Sequence, residues 1–220
     1  DMPKKGRGAQ QLDPQKLPTL LVSALDALYG HYEKTYEAWA AAGIPEPPVF
    51  IVVCQNTAIS KLVYDFVAGF HRMGPDGNET PVPGRYALFR NFEPDSDVAL
   101  RPRTLLIDSQ QLESGEGIDK EFKALAAEEI ERLRAEVAER DGAAAAEKIT
   151  DEDILREVMN TVGKKGRLGG EIRCVVSVSM LTEGWDANTV THILGIRAFG
   201  TQLLCEQGVG RGLRRRSYDL

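Results

Sequence analysis

The chain has 220 residues, 42% of them hydrophobic and 27% charged, with a formal net charge of −6. These are the proportions of an ordinary globular protein. The acidic balance excludes a chain that coats nucleic acid non-specifically and leaves room for a local basic site. The longest apolar runs, such as Val49–Cys54, fall far short of the roughly 20 residues that a membrane-spanning helix needs. No apolar stretch follows Asp1-Met-Pro-Lys-Lys-Gly-Arg7, so no signal peptide and no membrane partner are expected, and the location expected is cytoplasmic. Cys54, Cys174 and Cys205 stand far apart without a CxxC pair. That pattern predicts reduced thiols buried as small apolar residues, with no disulfide framework and no metal site.

Along the chain, residues up to about Pro14 read as a mobile or severed linker. Leu21, Leu25, Leu28, Tyr32 and Trp39 recur at helical spacing between Pro18 and Ala42, and Gly43 and Pro45 end that run. This stripe needs a surface, which the domain that follows is expected to supply. Val49–Cys54 is continuous and β-branched, the signature of a strand buried on both faces of a parallel sheet. Asn56 or Thr57 then caps a helix whose Ile59, Leu62, Val63, Phe66, Val67 and Phe70 share one face. Gly74–Asn78 reads as a loop, followed by candidate strands at Tyr86–Arg90 and Thr104–Asp108.

Ile118 to about Lys148 is charged and alanine-rich. It reads as a helix with a Phe122, Ala126, Ile130, Leu133, Val137 stripe, and Glu128–Arg132 and Glu136–Arg140 are favourable pairs four residues apart. A second helix is expected over Asp151–Val162, its acidic start suiting a helix N-terminus. The Gly163–Gly170 loop leads to a strand within Ile172–Val178, then to another at Val190–Ile196 and a helix from about Thr201. Strands alternating with helices predict a three-layer α/β domain on a mainly parallel sheet, with an N-terminal helix and a helical insertion.

Several kinds of site are excluded by pattern. Gly163-Lys-Lys-Gly166 lacks the first glycine and the hydroxyl of a phosphate-cradling loop. Gly208-Val-Gly-Arg-Gly212 does not complete a dinucleotide fingerprint. His31, His71 and His192 have no ligand spacing and are expected to be packed or solvated. Nothing in the chain forms a nuclease site of the PD…(D/E)xK kind.

Two segments carry chemistry. Ser177-Val-Ser-Met-Leu-Thr-Glu-Gly-Trp-Asp186 follows a buried strand, and after one more strand comes Gln207-x-x-Gly210-Arg211-x-x-Arg214. On a helix the spacing of three and four puts Gln207, Gly210, Arg211 and Arg214 on one side. Five arginines and one acid lie between Arg197 and Arg216. Two guanidiniums side by side call for an anion with several oxygens, such as a triphosphate.

In this order and spacing the segments resemble motifs V and VI of superfamily-two helicases and translocases. The wording Met180-Leu-Thr-Glu-Gly-Trp-Asp-Ala187 and Gln202-Leu-Leu-Cys-Glu-Gln-Gly-Val-Gly-Arg-Gly-Leu-Arg-Arg215 is most similar to the Res subunit of type III restriction enzymes. Val49–Thr57 would correspond to motif IV. The resemblance implies a RecA-like second motor domain over residues 48–220, with a helical segment at about 118–162, following a linker and helix at 1–47 and cut off after motif VI.

It implies Arg214 as an arginine finger, Arg211 as a second phosphate contact, and Gln207 with Gly210 at the nucleotide. Gly184 and Asp186 would meet the ribose or hold the arginines. Ser177, Ser179, Gln55, Asn56 and Thr57 would touch the nucleic-acid backbone. Where many relatives carry a threonine in motif V, Val178 and Ser179 stand here, and Trp185 replaces an aliphatic residue. The cofactors implied are ATP and Mg2+ in the intact two-domain motor. The partners implied are double-stranded DNA, the first motor domain of the same chain and a methylation subunit. Endonuclease activity would reside elsewhere in the parent protein. The alternatives are a type I restriction or repair motor, and a non-catalytic α/β DNA-binding or scaffold domain.

Overall fold

The computed structural model describes residues 13–74, 77–92, 101–107, 123, 126–178 and 189–196. Within these, helix α1 (Thr19–Ala41) precedes strand β1 (Val49–Cys54), helix α2 (Thr57–Ala68) and the strands β2 (Gly69–Met73) and β3 (Glu79–Pro83). Then follow β4 (Thr104–Ile107), α3 (Ala127–Asp141), α4 (Ala143–Ala146), α5 (Asp151–Asn160), β5 (Cys174–Ser177) and β6 (Val190–Ile196). Strands β4, β5, β1 and β6 lie side by side in that order, every pair parallel, while β2 and β3 form a separate antiparallel hairpin.

The two-residue period of a strand builds the layers. Phe50, Val52 and Cys54 of β1 face α1 and α2 with Cys174 and Val176 of β5. Val49, Ile51 and Val53 face the opposite way with Val175, against Ile130 of α3 and Ile154, Leu155, Val158 and Met159 of α5. Burial on both faces is why β1 and β5 read as unbroken apolar runs. The α/β class, the parallel sheet and its helical layers are as expected from the sequence.

Helix α1 finds its surface on the sheet. Tyr32 is wholly buried, and its hydroxyl donates to the Pro48 carbonyl at 2.8 Å, tying the helix to the start of β1. Around it Tyr29, Phe50 and Phe89 place their rings at 6.4, 6.2 and 4.7 Å from the Tyr32 centroid, within the range of favourable aromatic contact. Helix α5 begins with a full capping box: Thr150 accepts from the Asp153 amide, and Asp153 accepts from the Thr150 amide.

Four expectations are corrected. Tyr86–Arg90 is not a strand, because Ala87–Phe89 closes a 3-10 turn with the Phe89 amide donating to the Tyr86 carbonyl at 2.9 Å. That turn drives Phe89 into the aromatic cluster. Phe70 does not continue the α2 face: Gly69 leaves the helix at φ +105°, and Phe70 pairs with Val82 in the hairpin. The long helix expected up to Lys148 is broken at Gly142, whose φ of +92° is one that side-chain-bearing residues avoid. Finally, Glu136 does not pair with Arg140 but reaches Arg167 at 2.7 Å, and Arg140 bonds Asp141. The Glu136–Arg167 pair joins α3 to the loop before β5.

Candidate functional site

A parallel sheet has one edge at which all its strands finish. Val53 and Ile107 both stand level with Ser177, and Cys54 stands level with Ile196, so β1, β4, β5 and β6 end together. Strand β1 lies between β5 and β6, which puts the ends of those two about 10 Å apart at the usual strand spacing. After β1 the chain goes to α2 on one face, whereas α3 and α5, which follow β4, cover the other. An open α/β sheet leaves a ligand crevice outside the strand ends where successive connections part in this way.

The turn after β1 is described in full. Gln55, Asn56 and Thr57 are exposed. Asn56 holds an extended backbone, and its Oδ1 accepts from the Ile59 amide at 3.0 Å, which caps α2. The backbone carbonyl of Asn56 accepts in turn from the Ser60 amide at 3.0 Å. Helix α2 therefore turns its N-terminal end, the positive end of its dipole, toward this edge.

Ser177 closes β5 and is 1% exposed, held beneath the edge. The next amide, of Val178, donates to the Ile107 carbonyl at 3.3 Å and extends the ladder with β4. On β5 and β6 the described residues reach Val178 and Ile196. Ser179, Gly184 and Asp186, which follow β5 in sequence, and Gln207, Gly210, Arg211 and Arg214, which follow β6, lie outside the described residues, as do Asp108 and Cys205.

Cys54 ends β1 just under the same edge. Burial pushes its thiol up to about 12, so at neutral pH it is a protonated apolar side chain with no thiolate to act as a nucleophile. Burial raises Cys174 in the same sense. Among the described residues no three or more His, Cys, Asp or Glu side chains gather as a metal site. No helix among them is long and apolar enough to cross a membrane. The opposite edge, at the amino ends of β1 and β5, carries a cavity of about 290 Å³ lined in part by Tyr36, Ile44, Pro47, Lys165 and Arg173. Its cations are matched by Glu46 and Glu171 in the same lining.

One contact is invisible in the sequence spacing. His31 of α1 and His192 of β6 are 161 residues apart, yet His31 Nδ1 and His192 Nε2 are 2.7 Å from each other. The parity of β6 conceals it as well. Val190 pairs with Val49 and His192 with Phe50, so Thr191 is an extra residue, and the register shift sends Val190 and His192 to opposite faces.

No family model, no curated protein and no solved structure matches the chain.

Proposed function

We propose that the chain is the second motor half of an ATP-driven translocase on double-stranded DNA, similar to the Res subunit of type III restriction enzymes. One observation carries the reading: the strands that lead into the Gly184–Asp186 and Gln207–Arg214 segments end level with the Gln55–Thr57 turn, on a single edge of a parallel sheet. Segments leaving neighbouring strand ends are well set to build one site between them.

In this reading ATP and Mg2+ are held chiefly by a first motor domain, and this chain donates groups across the cleft. Arg214 meets the charge that grows on the transferring phosphoryl group, and Arg211 neutralises a second oxygen. An arginine in that role accelerates transfer by about 10³–10⁵-fold. Gln207 and Gly210 approach the nucleotide, with Gly184 and Asp186 at the ribose or the arginines. The exposed Gln55, Asn56 and Thr57, at the positive end of α2, suit a backbone phosphate of DNA. Ser179 would join them, with the buried Ser177 acting from behind the edge.

The isolated chain tests this directly. It has no phosphate-cradling loop, so pure chain with ATP, Mg2+ and duplex DNA is expected to release no phosphate above background. Robust turnover would overturn the half-motor reading. Salt-sensitive DNA binding that ignores both Arg211→Ala and Arg214→Ala would instead mark a non-catalytic DNA-binding domain.

A further inference from the structure

We propose that His31 and His192 form a proton-operated latch that holds helix α1 against the β6 side of the sheet.

His192 is 6% exposed. Its ring stacks on Phe50, with centroids 5.7 Å apart and planes 9° from parallel, and meets Tyr32 edge-on at 5.6 Å. Both of its nitrogens are engaged: Nδ1 is 2.8 Å from the Thr191 hydroxyl, and Nε2 is 2.7 Å from His31 Nδ1. The extra residue that turns His192 toward α1 is the same Thr191, whose hydroxyl also lies 3.5 Å from the Val49 carbonyl. The register shift and the hydroxyl together aim one imidazole at the other.

Two imidazoles facing through one nitrogen each can share a single proton between those nitrogens. With both rings neutral, one N–H donates to the other ring. One added proton still leaves a single N–H between the two facing nitrogens, so the contact survives it. A second would set N–H against N–H at 2.7 Å, and the contact must open.

The groups facing His192 are His31 and Tyr32 from α1, Phe50 from β1 and Thr191 from its own strand. Burial first, and then the charge of His31, hold His192 below its ordinary value of 6.5. The sign follows. Above pH 6.5 the ring is neutral whether α1 is docked or not, and the latch holds in full. As the pH falls below 6.5, the undocked form takes up the proton first, and docking weakens by up to tenfold per pH unit.

The test is amide hydrogen exchange of α1 in the full chain between pH 7.5 and 5, corrected for intrinsic rates and referenced to β1. Imidazole nitrogen shifts are followed by NMR in the same range. Expected are a His192 titration below 6.5 and α1 exchange that accelerates relative to β1, by up to tenfold per pH unit, as the pH falls below 6.5. In His31→Ala, an exposed change, His192 should titrate closer to 6.5 and the pH dependence of α1 exchange should shrink. A His192 titration unmoved by His31→Ala, or α1 exchange that keeps pace with β1 at every pH, would overturn the latch.

Discussion

Asn91 takes the place of a neighbouring strand for Thr104. Its Oδ1 accepts from the Arg103 and Thr104 amides at 2.8 and 3.0 Å, and its Nδ2 donates to the Thr104 carbonyl and the Tyr64 hydroxyl, both at 3.0 Å. Strand β4 lies at the end of the four-stranded sheet, where a strand's outer amides and carbonyls lack a ladder partner. A buried side chain thus supplies the hydrogen bonds that a further strand would have made. Asn91→Ala removes all four at once, and each buried group left without a partner costs about 1–3 kcal/mol. Urea unfolding should show a loss of about 3 kcal/mol or more. Asn91→Asp should recover only part of it, since a carboxylate keeps the acceptor and loses both donors. A loss under about 1 kcal/mol for Asn91→Ala would mean that water replaces the side chain and β4 needs no such partner.

Arg85 ties the segment after the hairpin to α1 through a two-pronged contact with Asp26, at 2.8 and 2.9 Å, and the Tyr86 hydroxyl donates to the same carboxylate. The hydrogen bond from Arg85 holds the Asp26 carboxyl below its usual 3.8. A carboxylate lowered in the folded state contributes stability above its unfolded value and loses it as the pH falls from there through the folded value. Both side chains are substantially exposed, so solvent screening limits the pair to about 0.2–1 kcal/mol. Asp26→Asn should therefore cost up to about 1 kcal/mol at pH 7, and the gap to the unsubstituted chain should narrow at pH 3. A gap equal at both pH values would assign the effect to packing and not to charge.

What the sequence disclosed depended on whether local pattern and tertiary packing agreed. Val49–Cys54 and Cys174–Ser177 are strands because they are buried on both faces, and that burial writes itself as an apolar run. Helix α1 was legible because Leu25, Tyr29 and Tyr32 fall on one side of it and meet the sheet. The β2–β3 hairpin was not. His71, Arg72 and Met73 are exposed, and Pro81 and Pro83 interrupt β3, so neither strand shows apolar alternation. Around Tyr86–Arg90 the β-like composition yields to an aromatic cluster that needs Phe89 turned inward.

For the candidate site, the Asn56 cap and the exposed turn beside it were legible from a polar pair between a strand and a helix. The His31–His192 contact had no linear signal at all, because an inserted residue in β6 reverses the face that counting by twos would assign.

In the proposed function, Arg214 is a group donated to a nucleotide held by another domain. The most direct measurement is steady-state ATP hydrolysis, together with ATP binding, by the two-domain motor that contains this chain, with and without Arg214→Ala. Expected is a fall in kcat of about 10³-fold or more, as for loss of an arginine finger, with ATP affinity changed only a few-fold. Unchanged turnover in Arg214→Ala would contradict it.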